Sequence, residues 1–269
     1  MSPSAALPPR HPAVTTRKKA LTIGAIRVDS VTREEALDAV EALVRRGEGG
    51  AVFTPNVDHV VLAGEDARMR SAYARASLSL ADGMPLVWAS RLLGHAVPEK
   101  VSGSDLVPPL LSRAAERGWN VYFLGGAPGV AALARDRLRE TLPRLQVVGV
   151  DAPRIDVDSP PESQEPLLAR IRAVRPHLVL VALGAPKQEI WIDLVRDQLR
   201  PAVLFGVGAS LDFVAGTVPR APPWMSEWGL EWLFRLGREP RRLWRRYLLR
   251  DPKFLLIVGR GLWDRTEPR

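Results

Sequence analysis

Short apolar segments alternate with helix-length segments along most of this chain, and this alternation limits the fold more than any other feature. The apolar segments occupy residues 21–28, 51–53, 77–80, 119–124, 145–150, 178–183 and 203–207. Most of them end in a turn with Gly, Pro, Asn or Asp, and a helix-like stretch follows. Strands that alternate with helices of this length form a mostly parallel sheet covered on both faces. The sequence therefore predicts an α/β fold with a mostly parallel sheet flanked by helices.

Composition is that of a soluble globular protein and excludes several kinds of site. Of the 269 residues, 46% are apolar and 25% are charged, which is ordinary for a globular domain. The chain has no cysteine, which excludes disulfides, thiolate metal sites and a cysteine nucleophile. Its four histidines have no metal-ligand spacing.

Three segments are predicted along the chain. Residues 1–19 are rich in Pro, Ala and Ser, lack the apolar stretch of a signal peptide, and are expected to be a disordered tail. Residues 20–222 would form the α/β core, and residues 223–269 a basic, amphipathic C-terminal helical appendage. No stretch reaches the ~18 apolar residues of a spanning helix, so no transmembrane segment is predicted.

Polar residues follow two of the predicted strands. Thr54 and Asn56 come after residues 51–53, and Asp82 comes after residues 77–80. In an open α/β sheet, residues just past the carboxyl ends of strands face the ligand crevice. A carboxylate beside a hydroxyl and an amide is a candidate general base with its positioning groups, so we predict a pocket around Asp82. The structural alternative is a turn at Asp82 and a helix cap at residues 54–56.

A glycine-rich turn at residues 125–129 separates a predicted strand from the next helix. Gly125 and Gly126 would let the backbone approach a phosphate, and a helix N-terminus offers free N–H groups and a favourable dipole. A Rossmann-type nicotinamide enzyme would use the same device, with Asp151 at the end of the next strand as its ribose-binding acid. The spacing is not the G-x-G-x-x-G fingerprint, however. A tight turn without a ligand is the other alternative.

Two acidic residues, Asp156 and Asp158, have the D-x-D spacing that holds a divalent metal on a sugar nucleotide. They lie in a Pro-rich loop with no strand before it, and such triplets often arise by chance. We therefore expect no metal cofactor, with Mg²⁺ or Mn²⁺ at this pair as the alternative.

The segment 235–253 holds eight basic and two acidic residues in a chain whose net charge is +8. At ~100° per residue, one helix face would hold four arginines; they are Arg241, Arg242, Arg245 and Arg246. The opposite face would hold Leu243, Trp244, Tyr247 and Leu248. This pattern predicts a helix lying in a membrane surface. The alternatives are a helix packed on the sheet with a solvated basic face, and a nucleic-acid-binding helix.

Six motifs occur in order along the chain. They are TPNVDHV at residues 54–60, ADGMP at 81–85, KVSGSDL at 100–106, FLGG at 123–126, GAPKQE at 184–189 and GVGASLDFVAG at 206–216. This set and the closing segment resemble the WecG/TagA/CpsF glycosyltransferases, glycosyltransferase family 26. The closest role is that of the N-acetylmannosaminyltransferases of the TagA type.

The resemblance implies an activity and its partners. It implies an inverting, metal-independent transfer of a hexose or N-acetylhexosamine from a UDP-sugar to a polyprenyl-diphosphate-linked sugar, in the synthesis of teichoic acid linkage units or other cell-surface polysaccharides. It also implies a cytoplasmic enzyme, peripheral on the inner face of the plasma membrane. An anionic membrane surface would be a partner, nucleic acid would not, and a homo-oligomer is left open.

Roles of individual residues follow from the same resemblance. The general base would be Asp82, and the other catalytic residues would be Thr54, Asn56 and Gln188. The substrate-binding residues would be Lys100, Ser102, Gly103, Gly125, Gly126 and Asp212, with Asp212 near the uracil. The arginines that meet the membrane or the diphosphate would be Arg235, Arg238, Arg241, Arg242, Arg245 and Arg246.

Two departures from the family pattern affect these expectations. The KVSGSDL motif usually begins with arginine, and Lys100 offers a point charge instead of a bidentate fork. The loop at residues 151–155 lacks the family's His-Gly-aromatic pattern, so Arg154 is the candidate to stack on the base. Two rival classes are kept: a nicotinamide oxidoreductase with its cofactor on the Gly125 loop, and a non-enzymatic adaptor that binds membranes or nucleic acid.

Overall fold

The structure, a computed structural model, describes residues 20–266 and begins with a β-hairpin. Strands β1 (Ala20–Ile23) and β2 (Ile26–Asp29) pair antiparallel in a sheet of their own. The prediction of one strand over residues 21–28 is therefore wrong. Gly24 has a φ of +58°, which a two-residue hairpin turn uses, so the chain reverses there. The predicted tail at residues 1–19 lies outside the described residues.

The main sheet has six strands whose pairings are all parallel, which confirms the predicted α/β class. Its strands are β3 (Gly50–Phe53), β4 (Leu78–Ser79), β5 (Asn120–Gly125), β6 (Gln146–Asp151), β7 (Leu178–Ala182) and β8 (Val203–Gly206). Their order across the sheet is β4-β3-β8-β7-β5-β6. The central strands are apolar and buried throughout, as parallel strands covered on both faces must be. All six carboxyl ends therefore lie along one edge.

Helices cover both faces of the sheet. They are α1 (Arg33–Arg46), α2 (Val57–Glu65), α3 (Ala67–Ala74), α4 (Met84–Leu92), α5 (Gly103–Arg117), α6 (Val130–Thr141), α7 (Glu165–Ala173), α8 (Lys187–Val195) and α9 (Ser210–Ala215). A 3₁₀ turn, Pro161–Gln164, precedes α7. One hydrophobic cluster joins α2, α3, α4, α7 and α8 to the sheet, and a second joins α1, α5, α6 and α9 to the other face.

The helices after neighbouring central strands lie on opposite faces. Helix α8 follows β7 on one face, whereas α6 and α9 follow β5 and β8 on the other. A change of face between neighbouring strands opens a crevice outside their carboxyl ends, where α/β proteins bind ligands. The turns after β5, β7 and β8 therefore border a crevice, which we call the central crevice.

The C-terminal segment folds back onto the core as several short helices. They are α10 (Pro223–Glu227), α11 (Glu231–Arg238), α12 (Pro240–Arg245), a π-helical turn (Arg246–Arg250) and α13 (Lys253–Thr266). Phe254 and Val258 of α13 are buried in the same hydrophobic cluster as α2. Between residues 20 and 266, no helix has both the length and the hydropathy needed to cross a bilayer.

The predicted helix with one basic and one apolar face is interrupted in the structure. The backbone changes to a π-helical turn at Arg246, so a constant angle per residue does not hold across residues 241–248. The four apolar side chains consequently point to different places. Leu243 is buried and Tyr247 faces a cavity, whereas Trp244 and Leu248 are exposed.

Candidate active site

A cavity of about 490 Å³ lies between the core and the C-terminal segment. Its core wall comes from the starts of α2 and α4 and the turn before α4, and its other wall comes from α11, the π-helical turn and α13. Five of the predicted site residues line it; they are Asn56, Asp82, Lys100, Arg235 and Arg246. Apolar side chains such as Met84, Trp232 and Phe254 also line the wall. The cavity thus combines a few ionisable groups with an apolar surface, which is typical of small-molecule sites.

Asp82 lies at the lip of the sheet, three residues past the end of β4. Its backbone N–H donates to the Pro55 carbonyl at 2.8 Å, which ties the turns after β3 and β4 together. The pKa of the Asp82 carboxyl is raised to about 7, chiefly by burial and then by the nearby Glu231 carboxylate, whereas Arg235 and Lys100 oppose the shift. A carboxylate with a pKa near the working pH is well suited to accept a proton from substrate.

Two cations flank Asp82 and are held by acidic partners. Lys100 Nζ lies 2.9 Å from Asp105 Oδ2 and donates to the Ser226 hydroxyl at 2.8 Å, so it joins the core to α10. Arg235 lies 2.7 Å from Glu231 and stacks over the Phe213 ring at 5.7 Å. These contacts hold the Lys100 ammonium and the Arg235 guanidinium in fixed positions in the cavity wall.

Asn56 and Arg246 meet across the boundary between core and C-terminal segment. The Asn56 side chain caps α2 by accepting from the His59 N–H at 3.4 Å, and its Oδ1 also accepts from Arg246 Nη2 at 3.2 Å. Arg246 also packs over the Tyr247 ring at 5.3 Å. The sequence predicted both residues as site residues but not their contact.

The other four arginines that the sequence analysis grouped in the C-terminal segment have a different environment. Arg238, Arg241, Arg242 and Arg245 are exposed, and Arg242 pairs with Glu239 of its own segment at 2.6 Å. The six arginines grouped by the sequence therefore divide into two that face the cavity, Arg235 and Arg246, and four that face outward.

A second group of predicted residues lies at the central crevice and does not line the cavity. The Gln188 amide oxygen accepts from the Gly208 N–H at 2.9 Å, and its amide nitrogen donates to the buried Glu189 at 2.8 Å. A Cβ on Gly206 would lie 2.6 Å from Gln188 Nε2, so glycine is required for this packing. Burial raises the pKa of the Glu189 carboxyl to about 7.

Thr54, Ser102 and Gly103 occupy the boundary between the turns after β3 and β8. A Cβ on Gly103 would lie 3.5 Å from Thr54 Oγ1 and 3.2 Å from Ser210 Oγ. Ser102 caps α5, since its hydroxyl accepts from the Asp105 N–H at 3.1 Å and donates to the Asp105 carboxylate at 2.7 Å. Close packing at Gly103 and the helix cap at Ser102 give these two residues structural reasons for their identity. The catalytic role of Thr54 and the substrate-binding roles of Ser102 and Gly103 stay predictions.

Gly125 and Gly126 shape the end of β5. Gly125 has a φ of +99°, and a Cβ there would lie 2.5 Å from the Ala182 carbonyl oxygen. The Gly126 N–H donates to that same carbonyl at 2.8 Å, and no side chain caps the start of α6. Close approach of β5 to β7 requires the first glycine, and no side chain engages the first N–H groups of α6.

Asp212 and the D-x-D pair lie apart from the cavity. Asp212 is half-buried in α9, and burial raises its pKa, although Thr217 and Arg242 oppose the shift. The Asp156 carboxylate accepts from the Asp158 N–H and the Ser159 hydroxyl, both at 3.0 Å, and Asp158 pairs with Arg68. Within residues 20–266, no three His, Asp or Glu side chains form a cluster that could hold a metal. Metal independence stays a prediction, because the structure does not test it.

The acid expected for a nicotinamide ribose is already engaged. Asp151 at the end of β6 accepts a hydrogen bond from the Tyr122 hydroxyl and lies 3.2 Å from Arg170. The sequence reasoning also missed three acidic groups of the site: Glu231 and Asp251 line the cavity, and Asp58 lies behind it. Asp58 belongs to the TPNVDHV motif, so the sequence offered a signal for it. Glu231 and Asp251 reach the cavity only because the C-terminal segment folds back onto the core, and no motif marks them.

Comparisons with known proteins decide the family. The sequence profile of the Glycosyl transferase WecG/TagA/CpsF family matches residues 21–268, which is most of the chain. The chain belongs to this family of glycosyltransferases. It is also 32% identical over 213 residues to the N-acetylglucosaminyldiphosphoundecaprenol N-acetyl-beta-D-mannosaminyltransferase of Bacillus spizizenii, covering 79% of this chain and 80% of the relative. The resemblance predicted from the six motifs is thereby confirmed.

Proposed function

We propose that this glycosyltransferase moves an N-acetylhexosamine, N-acetylmannosamine in the first instance, from a UDP-sugar to a polyprenyl-diphosphate-linked sugar. The observation that supports it most is Asp82, a carboxylate with a pKa near 7 in a cavity that also holds Lys100 and Arg235. The product would enter the synthesis of cell-wall teichoic acid or a related surface polysaccharide. The Bacillus relative is named for transfer to N-acetylglucosaminyldiphosphoundecaprenol, which supports this acceptor class.

The chemistry requires a base because a sugar hydroxyl is a poor nucleophile at neutral pH. Asp82 accepts the proton of the acceptor hydroxyl as its oxygen forms a bond to the anomeric carbon. The bond from that carbon to the UDP oxygen breaks, and UDP leaves with the electron pair. Attack from the face opposite UDP inverts the centre, which turns an α-linked donor into the β-linkage in the relative's name.

The leaving diphosphate gains negative charge that preorganised donors must stabilise. On the donor side, the uncapped N-terminus of α6 supplies N–H groups at the central crevice, whereas the Gly126 N–H is already held by the Ala182 carbonyl. Lys100 and Arg235 supply positive charge on the cavity side. These groups support a mechanism that runs without a divalent metal.

The surface around the cavity mouth supports a membrane-bound acceptor. Trp88 and Leu92 of the core helix α4 are exposed, and so are Trp228, Leu255 and Trp263 of the C-terminal segment. Gly229 lies against Trp88, and Gly261 lies against Leu93, so the C-terminal segment packs along α4, and we call the exposed apolar side chains of these two elements the rim. With the outward arginines nearby, the rim fits an anionic bilayer at the inner face of the plasma membrane.

The direct test is transfer of label from a panel of UDP-sugars to a short-chain prenyl-diphosphate N-acetylglucosamine, with and without a chelator. We expect UDP-N-acetylmannosamine to give product and the chelator to leave the rate unchanged. Activity restored only by Mg²⁺ or Mn²⁺ would make Asp156 and Asp158 ligand candidates. NAD binding without UDP binding would favour the oxidoreductase instead.

Membrane association is tested separately by sedimentation with anionic vesicles. The double variant Trp88→Ser, Leu92→Ser should bind about tenfold or more weakly, because two apolar side chains no longer leave water. Leu133→Ser is the matched control, since Leu133 is exposed on α6, which packs on the other face of the sheet. Equal binding by all three proteins would contradict the assignment of the rim.

A further inference from the structure

Asp58 is a buried acidic residue that the proposed mechanism does not use. It lies in the first turn of α2, and its side chain is only 5% exposed. Burial of a carboxylate is costly unless cations compensate it. Both compensating cations come from the π-helical turn, some 190 residues further along the chain.

The contacts join one carboxylate to two arginines. Arg250 Nη1 lies 3.0 Å from Asp58 Oδ1, and Arg246 Nε lies 3.4 Å from Asp58 Oδ2. Asp251 contributes a second carboxylate 3.8 Å from Arg246 Nε. The Asp58 Oδ1 and Arg246 Nε atoms make no aligned hydrogen bond, so the attraction is coulombic, and the scarcity of water strengthens it.

Only one of the two arginines enters the cavity. Arg246 lines the wall and donates to Asn56, whereas Arg250 does not line the cavity. We infer that Asp58 is a positioning residue: it holds the π-helical turn against α2 and so fixes the Arg246 guanidinium in the cavity wall. The inference adds to the proposed function a residue that acts through Arg246 without touching substrate.

The chain offers a matched control for this inference. Lys253 and Glu65 also join the C-terminal segment to α2, with Nζ and Oε1 2.7 Å apart, but both side chains are about half exposed. Exposed pairs contribute little to stability. Glu65→Gln therefore removes an exposed ion pair between α2 and the C-terminal segment, and it should change neither turnover nor docking of the segment.

The activity arm uses full-length protein, UDP-N-acetylmannosamine and a water-soluble acceptor analogue, and it rests on the proposed function. Asp58→Asn should lower turnover by about 10- to 100-fold, because small displacements of a positioned group have effects of that size. UDP affinity should stay unchanged, and Asp58→Glu should recover part of the loss. Arg250→Gln should show a smaller loss, and the double variant should be no worse than Asp58→Asn alone.

The second experiment measures how firmly the C-terminal segment is docked on the core, and it does not require an active enzyme. Cleavage by trypsin within residues 241–253 should be about tenfold faster in Asp58→Asn than in wild type or Glu65→Gln, since the segment detaches more often. The inference is overturned if Asp58→Asn is cleaved at the wild-type rate and the activity losses of Asp58→Asn and Arg250→Gln add in the double variant. If wild type transfers no sugar, the proposed function fails, and the cleavage rates still decide the docking contact. If Asp58→Asn does not fold, unchanged cleavage and turnover in Arg250→Gln overturn the inference.

Discussion

The cavity and the central crevice lie along the same strand edge but are built from different groups. Ionisable side chains line the cavity, and burial moves the pKa of Asp82 to about 7 and that of Asp251 to about 6. The crevice instead presents backbone and glycines, and its amide Gln188 is already held between Gly208 and Glu189. The pKa of Glu189 is also raised to about 7, but this carboxyl is fully buried behind Gln188 and offers no surface to a ligand. Groups with a shifted pKa suit proton transfer, whereas fixed backbone donors suit binding of a diphosphate. The difference indicates acceptor chemistry in the cavity and donor binding in the crevice.

The largest expected effect separates chemistry from binding. Asp82→Asn should lower turnover by ~10²–10⁴-fold, which is the usual contribution of a general base. UDP affinity measured by calorimetry should not change, because the proposed donor site is the crevice and not the cavity. Near-normal turnover would remove Asp82 from the mechanism, and a large loss of UDP affinity would contradict the separation of the two regions.

The reciprocal change is made in the crevice. Gly125→Ala forces a Cβ to within 2.5 Å of the Ala182 carbonyl and keeps a φ of +99°, so local backbone strain of about 1–3 kcal/mol is expected. The Michaelis constant for the UDP-sugar should rise about tenfold while the pH dependence of turnover stays the same. Gly118→Ala is a control, because it also has a positive φ but has open space around it. A shifted pH profile in Gly125→Ala would show that the regions are coupled.

Charges in the cavity wall should shift the pKa of Asp82. Turnover should rise with pH through about 7 and then level, because only the ionised Asp82 accepts a proton. Glu231→Gln removes a negative charge that raises the pKa of Asp82, so the midpoint should fall by about half to one pH unit. Lys100→Met removes a positive charge, so the midpoint should rise. If both variants moved the midpoint of the pH dependence in the same direction, the electrostatic explanation of the Asp82 pKa would be contradicted.

The smallest expected effect concerns stability. The pKa of Asp82 is higher in the folded chain than its ordinary value of 3.8, so the folded state loses stability as pH rises from about 4 to 7. Asp82→Asn cannot ionise, and its Tm should exceed that of wild type by a few degrees at pH 8. The difference should shrink toward pH 4. A variant with a lower Tm at pH 8 would mean that the ionised carboxylate stabilises the fold.

The sequence allowed us to predict which residues lie at the carboxyl ends of the strands, but not how the C-terminal segment packs over them. Alternating segments place Asp82 and Asn56 past neighbouring strands, because parallel strands end at a common edge. Helical periodicity failed from Arg246 onward, since it assumes a regular α-helix and the backbone there is π-helical. Glu231 and Asp251 reach the cavity only through tertiary packing, which leaves no local pattern in the sequence.

Helix α13 has one apolar face in the protein interior and another directed outward. Phe254 and Val258 are buried, whereas Leu255 and Leu256 are 73% and 66% exposed. Substitution libraries of this helix should therefore give opposite outcomes for chemically similar residues. Polar replacements at the first pair should reduce the yield of folded protein, and the same replacements at the second pair should increase solubility during purification without detergent.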